Sequence, residues 1–331
     1  MTTTIPDLVI RPYAGEADIP EMVRVANAEL GTDGSTERRT VAQATVDLRH
    51  ASEHFDPARD LHLAEVDGVL AAHGRVEWVD TNDGLREYRL GGYVDPAWRR
   101  RGIGRALHRA LVSRAHEVAA AHETDRPRYL GLWTNEQAAG AIALAESEGF
   151  GRERWFFEME RPAIDRDLPE VPPMPDGLEV RPVTLEQAWQ LWEADVEAFR
   201  DHWGGFDASE ASFRRWVERP EWRPELFVIA WDGDEIAGGV INTVYVEENE
   251  ALGVRRGWLD SVFTRREWRK RGLARALIAR SLHVLAAQGL DAAALGVDAD
   301  NPSGALSLYE SFGFSVVHRG SAWRRPMEAG S

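Results

Sequence analysis

The chain has 331 residues, 44% of them apolar, a net charge of −16 at pH 7 and no cysteine. That length and apolar content allow two ordinary cores, and the missing cysteines exclude disulfides, thiolate catalysis and cysteine-ligated zinc. An acidic balance of this size excludes a general nucleic-acid surface, which needs a broad basic face. No apolar run approaches the roughly 18 residues of a membrane span. The start, Met1-Thr2-Thr3-Thr4-Ile5-Pro6, lacks the basic-then-apolar pattern of a leader, so the expected location is the cytoplasm.

In chain order, Leu8-Val9-Ile10-Arg11-Pro12 reads as a short strand. A helix follows with Ile19, Met22, Val23 and Ala26 at helical spacing, then a second helical stretch over 36–51. Residues 61–66, the turn Asp67-Gly68 and residues 69–79 form a hairpin, because Asp-Gly between apolar runs is a strong hairpin signal. A strand over 88–94 leads into Trp98-Arg99-Arg100-Arg101-Gly102-Ile103-Gly104-Arg105-Ala106-Leu107. Ile103, Ala106, Leu107, Ala110 and Leu111 share one face of the next helix. A fifth strand over 129–133, a helix ending at Gly149-Phe150 and a strand over 155–160 complete the series.

The series then returns. Leu178-Glu179-Val180-Arg181-Pro182 matches the first strand, and Ala188, Leu191, Trp192 and Val196 mark the next helix. A helical stretch over 209–218 precedes a hairpin of 226–231, Asp232-Gly233 and 235–246. The strand over 257–264 enters Trp268-Arg269-Lys270-Arg271-Gly272-Leu273-Ala274-Arg275-Ala276-Leu277, where seven of ten positions repeat the earlier loop. Leu273, Ala276, Leu277, Ser281 and Val284 form the apolar face of its helix. A strand over 293–297, a helix ending at Gly313-Phe314 and a strand over 321–327 follow. Two copies of one unit, β-α-α-β-β-β-α-β-α-β, are therefore expected, each closed by its own last strand. Prolines at 162, 169, 172, 173 and 175 mark an extended linker. The expected division is 1–161, a linker over 162–177, and 178–331.

Each basic loop opens a helix, where unpaired N–H groups and a partial positive charge favour an anion. Gly272 and Ala274 remove side-chain bulk, and the arginines add charge-assisted hydrogen bonds. Basic residues gathered in two short loops of an acidic chain fit a small polyanion.

With this order of elements, Arg269-Lys270-Arg271-Gly272-Leu273-Ala274 and Arg99-Arg100-Arg101-Gly102-Ile103-Gly104 resemble the Arg-x-x-Gly-x-Gly/Ala motif of the GNAT N-acetyltransferase superfamily. The stretch from Asn301 through Tyr309-Glu310 to Gly313-Phe314 is similar to that family's second signature. The resemblance covers nearly the whole chain as two tandem copies, and the double arrangement also resembles mycothiol-synthase-like double-GNAT proteins. It implies an α/β fold with a mixed sheet in each copy, and acetyl-CoA or another short acyl-CoA as donor. The pyrophosphate would rest on Arg269, Lys270, Arg271, Gly272, Leu273, Ala274 and Arg275 with Asn301 nearby, and the pantetheine along Val262, Phe263 and Thr264. The first copy offers Arg99, Arg100, Arg101, Gly102, Gly104 and Arg105 in the same places.

Acyl transfer to an amine needs the neutral amine. At a pKa near 10.4 this is roughly one molecule in a few thousand at pH 7, a deficit of about 4–5 kcal/mol that a base or a desolvating site must supply. The leaving thiol, at a pKa near 8.5, is a stronger acid than tyrosine by about 2 kcal/mol. Tyr309, carried by the family motif, is therefore expected to stabilise the leaving sulfur by a hydrogen bond. Its other reading is a core aromatic beside Ala305, Leu308 and Phe312. Aligning Gly149-Phe150 with Gly313-Phe314 puts Ala145 where Tyr309 stands, so the first copy is expected to lack acid catalysis.

Asp260 is the candidate base, with Glu247 and Glu248 as alternatives; each also reads as an exposed acid. Asp201, His202 and Trp203, with Gly204, Gly205 and Phe206, suggest an acceptor-pocket wall with movable backbone, or equally a helix end packed on the core. Trp216 and Trp222 read as packing residues. His50 and His54 read as surface residues, so no metal is expected. The expected function is an acyl-CoA-dependent N-acetyltransferase acting on a primary amine of a small molecule or peptide, without nucleic acid or membrane as partner. A mycothiol-synthase-like acetyltransferase and a non-catalytic acyl-CoA sensor are the rivals. Monomer and homodimer both stay open.

Overall fold

The computed structural model describes residues 5–205, 207–301 and 304–327. The opening Met1 to Thr4, Phe206 and the Pro302-Ser303 pair in the second signature lie outside them.

The first repeat runs β1 (Leu8–Pro12), α1 (Ile19–Thr32), α2 (Val41–Arg49), a single turn α3 (Pro57–Asp60), β2 (Leu61–Val66), β3 (Val69–Asp80), β4 (Arg86–Val94), α4 (Ile103–Ala120), β5 (Arg128–Asn135), α5 (Ala139–Ser147) and β6 (Gly151–Pro162). The second runs β7 (Glu179–Arg181), α6 (Ala188–Phe199), α7 (Glu210–Glu218), β8 (Val228–Asp232), β9 (Glu235–Thr243), α8 (Val246–Leu252), β10 (Arg256–Thr264), α9 (Leu273–Ala287), β11 (Ala292–Asp298), α10 (Ala305–Glu310) and β12 (Ser315–Pro326).

Local chemistry explains most of these boundaries. Thr40 and Gln43 form a reciprocal capping box at the start of α2. The β2–β3 turn takes Asp67 and Gly68 at φ 51° and 75°, the left-handed pair that matches strand twist. One expected strand is shorter than its apolar run: β9 stops at Thr243, and the acidic stretch from Val246 turns helical as α8, ending at left-handed Gly253.

The chain forms two compact units. The first contains the residues up to Arg154, Trp203–Arg215 and those from Gly320 on. Its sheet order is β1-β2-β3-β4-β5-β12, with β4 and β5 parallel and the other pairs antiparallel. The second contains Trp155–His202 and Trp216–Arg319, with order β6-β11-β10-β9-β8-β7 and β10 parallel to β11.

The expectation that each copy is closed by its own last strand is corrected by this pairing. β12 lies against β5, from Gly320 opposite Asn135 to Pro326 opposite Tyr129. β6 lies against β11, from Phe156 opposite Asp298 to Pro162 opposite Ala292. The exchange carries core residues with it. Trp323, 3% exposed, packs in the first unit's core with Tyr88, Leu107 and Leu130, and its indole N–H donates to Thr134 Oγ1 at 2.8 Å. Met159, fully buried, packs in the second unit's core with Leu277, Leu282 and Leu295. Each side chain contributes about 2–3 kcal/mol of burial to a unit built mainly from the other repeat.

In the second unit, α9 and α10 cover one sheet face through Leu273, Leu277, Leu282, Tyr309 and Phe312. The other face carries α6 through Leu191, Ala194 and Ala198, against Ile229, Ile241 and Phe263. The proline-rich stretch follows α9 as a strap. Prolines lack N–H donors but keep their carbonyls, and α9 serves these: Arg280 donates to Pro172 O at 2.9 Å, and the His283 ring lies 2.9 Å from Pro169 O. Among the described residues no helix is long and apolar enough to cross a membrane.

Candidate active site

β10 and β11 pair from Arg256 opposite Ala292 to Trp258 opposite Ala294, and then part. β10 continues against β9, with Val262, Phe263 and Thr264 opposite Val240, Gly239 and Gly238. One backbone edge of β10 is therefore satisfied and the edge facing β11 is open. Between Leu259 and Ser261 the register with β9 shifts by one residue, so Asp260 is the extra residue of a bulge. Bulges bend a strand and re-aim its side chains. Leu259 and Val262 pack toward α9, whereas Phe263 packs toward α6 and Ser261 bonds to it.

The open edge runs into the basic loop. Arg269 is extended, Lys270 is left-handed at φ 62°, and Gly272 is left-handed at φ 83° as the N-cap of α9, without a side-chain cap. Alternating conformations of this kind turn successive N–H groups toward one point and form an anion nest. A Cβ placed on Gly272 meets nothing within 4 Å, so the approach is clear. Of the basic side chains, Arg269 faces inward: it donates to Thr264 O at 3.0 Å, to Ala198 O at 3.1 Å and to Asp201 at 3.1 Å. It braces the loop against the end of α6 instead of reaching out. Arg271 donates to Asp176 O, and Arg275 bonds Ser311 Oγ and lies over Phe312. None of Lys270, Arg271 and Arg275 is paired with a carboxylate among the described residues.

Tyr309 sits in α10, 7% exposed, with its ring 6.2 Å from that of Phe314. Burial pushes its hydroxyl up to about 12, so it stays protonated at neutral pH. It makes no hydrogen bond among the described residues, which suits a donor kept for a ligand. Asn301 follows the end of β11, its N–H bonded to Asp298 O.

Two acids stand at the bulge of β10, Asp260 as its extra residue and Asp195 through Ser261. Asp260, exposed to solvent, accepts from the Tyr245 hydroxyl at 2.9 Å. Asp195, on α6, accepts from Ser261 Oγ at 2.5 Å, and burial pushes it up to about 6. Sequence reasoning missed Asp195, Ser261 and Tyr245. The available signal was an acid four residues after Leu191 and three before Ala198, inside the buried stripe of α6.

Other sequence-level candidates are placed elsewhere. Glu248 is 4% exposed and bonds Arg256 at 2.8 Å and the Trp258 indole at 3.1 Å, so it is a structural acid; Glu247 is exposed in the first turn of α8. Asp201 is held by Arg266 and Arg269, which keep its carboxyl below the usual range, and His202 lies on Phe199 at 4.3 Å. Trp203 belongs to the first unit, where its ring takes the Arg324 guanidinium at 4.2 Å and that of Arg154 at 5.6 Å. The glycines beside it are fixed: Gly204 O accepts from Asn82, and a Cβ on Gly205 would stand 2.6 Å from Asp80 O. These three side chains thus hold the loops on which they sit. His54 lies beyond α2, with its ring 3.8 Å from that of Trp78.

Arg256 is 3% exposed and holds Glu158 and Glu160 of β6 as well as Glu248. Replacing it by Met strands a buried carboxylate, so Arg256→Met is expected to cost about 3–5 kcal/mol in urea unfolding. A cost under 1 kcal/mol would mean that this cluster does not secure β6.

The first unit repeats the loop but not the site. Arg99 is extended, Arg100 has φ 64° and Gly102 φ 87°, and Arg99 is braced by Asp33 at 2.7 Å as Arg269 is by Asp201. The helix ends also correspond: Phe150 N–H bonds Ala145 O as Phe314 N–H bonds Tyr309 O. Ala145, fully buried, therefore occupies the tyrosine position. β4 pairs with β3 without a bulge. Internal groups stand where a ligand would: Glu29, pushed up to about 7 by burial, accepts from Val94 N–H; Arg105 is paired with Glu148 at 2.6 Å; and Ile5 lies 3.4 Å from a Cβ on Gly102. Beside Gly104, a Cβ would meet Val94 at 3.2 Å.

Two units, each with a pair of parallel strands that part and a basic turn at a helix start, define a tandem acyltransferase. The chain belongs to the Acetyltransferase (GNAT) family, whose sequence profile matches residues 27–150 and 188–314, and it is an N-acetyltransferase. It is 31% identical over 321 residues to a mycothiol acetyltransferase of Geodermatophilus obscurus, covering 94% of each chain. Among solved structures it resembles a GCN5-related N-acetyltransferase from Sphaerobacter thermophilus, with TM-score 0.70, 25% identity and coverage of 99% and 98% of the two chains. It shares its fold with a tandem GNAT protein from the clavulanic acid biosynthesis pathway, with TM-score 0.71, 18% identity and coverage of 98% and 100%.

Proposed function

We propose that the chain transfers an acetyl group from acetyl-CoA to a primary amine of a small molecule or peptide, by direct attack on the thioester, and that the second unit holds the working site. The observation that carries this reading is the combination found in that unit alone among the described residues: an open, bulged β10, an unobstructed loop at Gly272 and a buried protonated tyrosine. The donor is a co-substrate. The open edge of Val262, Phe263 and Thr264 fits its amide chain, and the α9 start with Lys270, Arg271 and Arg275 fits its phosphates. When bound, it supplies an acyl group on a good leaving thiol. N–H groups freed where β10 leaves β11 fit the developing oxyanion. Asp260, already bonded to Tyr245, attracts a cationic amine to the bulge. Tyr309 offers its proton to the leaving sulfur as a hydrogen bond. The expected location remains the cytoplasm.

The test is thiol release from acetyl-CoA across a panel of primary amines, polyamines and peptide N-termini. Acceptor-dependent release supports the reading. Tight acetyl-CoA binding with no acetylated amine would favour the acyl-CoA sensor. The mycothiol-synthase-like reading is favoured by likeness to the Geodermatophilus protein over 94% of both chains. Turnover with cysteinyl-glucosaminyl-inositol well above that with simple amines supports it; no turnover with that amine removes it.

A further inference from the structure

Asp195 stands out among the acids of the second unit. It is half-buried, and its sole bond among the described residues is from Ser261 Oγ. No arginine or lysine among the described residues is paired with it. α6 packs on β9 and β10, on the turn Leu185–Gln187 before it, and on α7 through Trp192 and Trp216. The charged groups of these elements are engaged elsewhere or exposed: Asp260 bonds Tyr245, Arg265, just past β10, holds Glu197 and Glu235, Arg214 holds Glu210, Arg215 bonds Ser212, and Glu186 is exposed. A buried carboxyl without a counter-charge destabilises the fold it sits in, and such groups cluster where chemistry is done. Ser261 follows the bulge residue Asp260 directly, so its hydroxyl links Asp195 to the place where β10 opens.

We propose that Asp195 is the proton sink for the acceptor amine, reached through the Ser261 hydroxyl, and that the acceptor is a cationic primary amine drawn to this carboxylate. This rests on the acetyltransferase reading above and names the acceptor chemistry and proton route of that site. The ammonium gives a proton to Ser261 Oγ as Ser261 gives its own to Asp195 Oδ1. The neutral nitrogen then forms the C–N bond as the C–S bond breaks. The electron pair leaves on sulfur, steadied by the Tyr309 hydrogen bond, and the second amine proton passes to that thiolate, so that the free thiol and the amide are released. Ser261 touches the amine and is catalytic in this scheme; Asp195 acts through it.

The test uses the full chain, acetyl-CoA and an amine that the wild type acetylates. Asp195→Asn is expected to lower kcat/KM for the amine about 100-fold or more and to remove the acid limb of the pH profile near 6, with acetyl-CoA affinity unchanged. Ser261→Ala is expected to move that limb upward, because the lost hydrogen bond favoured the carboxylate. Asp195→Glu should recover part of the rate. A purely structural acid would change stability but leave the position of the limb unmoved. Wild-type kcat/KM and an intact limb in Asp195→Asn would overturn the proposal while leaving the acetyltransferase reading standing. A wild type that neither binds acetyl-CoA nor acetylates any amine would overturn both. A reading free of acceptor comes from unfolding: Asp195→Asn should be more stable than wild type at pH 8, with the gain vanishing below about pH 4. Lower stability at pH 8 would show a satisfied carboxylate and reject the uncompensated charge on which the proposal rests.

Discussion

Gly272→Glu is expected to weaken acetyl-CoA binding by at least 100-fold, and calorimetric titration of the wild type should show one tight equivalent per chain. The argument is geometric first. Gly272 caps α9 in left-handed backbone, and the space beside its α-carbon is empty to 4 Å. A glutamate there fills the approach to the first-turn N–H groups and puts a negative charge where two or more phosphate charges would sit. A single charge pair at about 4 Å and an effective dielectric near 20 is worth roughly 4 kcal/mol, more than the roughly 2.7 kcal/mol of a 100-fold change. Backbone strain adds about 1–2 kcal/mol, and Gly272→Ala, which carries the strain without the charge, separates the two. Lys270 already holds φ 62° in the same loop, so the fold tolerates a side chain in this conformation. The single equivalent follows from the first unit, where Glu29, Glu148 and Ile5 stand on Val94, Arg105 and Gly102. An equivalent that survives Gly272→Glu and disappears in Gly102→Glu would place the donor in the first unit and reverse the assignment.

The repeat, the element order and the two loops were legible because each is local in the sequence. Asp67-Gly68 encodes its hairpin whatever lies around it, and the seven shared positions from Trp268 to Leu277 announce the second copy. The partner of a strand is a different matter. Nothing local in β6 or β12 says whether it returns to its own repeat, because both copies offer an equivalent antiparallel neighbour, β5 or β11. Arg256 with Glu158 and Glu160, and Trp323 with Thr134, show what favours the exchange: polar and aromatic partners spread over distant parts of the chain.

The site divides along the same line. Gly272 and Tyr309 were readable because a motif fixes their places. Asp195 was not, because its role depends on a contact between α6 and β10, and an acid on a helix reads as exposed unless its stripe is traced. Arg269 shows the same dependence on distant contacts. Its charge suggested a phosphate ligand, while its three bonds to Thr264, Ala198 and Asp201 make it a brace. Asp201 and Trp203 looked like pocket residues because acids and aromatics beside glycines often are. In the fold their partners are Arg266 and Arg269 for one, and Arg324 and Arg154 for the other.

Tyr309→Phe is expected to lower kcat about 10- to 100-fold while leaving the KM for acetyl-CoA and the unfolding midpoint nearly unchanged. Phenylalanine keeps the ring that packs near Phe314, so the substitution removes the hydroxyl alone. That hydroxyl lies pushed up to about 12 by burial, whereas a leaving thiol has a pKa near 8.5. Full transfer to the thiolate is therefore uphill by roughly 5 kcal/mol, and the useful contribution is a hydrogen bond to charge that develops on sulfur, worth about 1.5–3 kcal/mol. The pH profile distinguishes this from proton donation by a tyrosine of ordinary pKa. With the hydroxyl at about 12, its proton is present across the whole accessible range, so kcat should show no alkaline limb near 10. A limb at 10 in the wild type that is absent from Tyr309→Phe would mean that Tyr309 titrates as an exposed phenol and hands over its proton. Unchanged kcat in Tyr309→Phe would reduce the residue to a core aromatic and leave the sulfur to depart as a thiolate unaided.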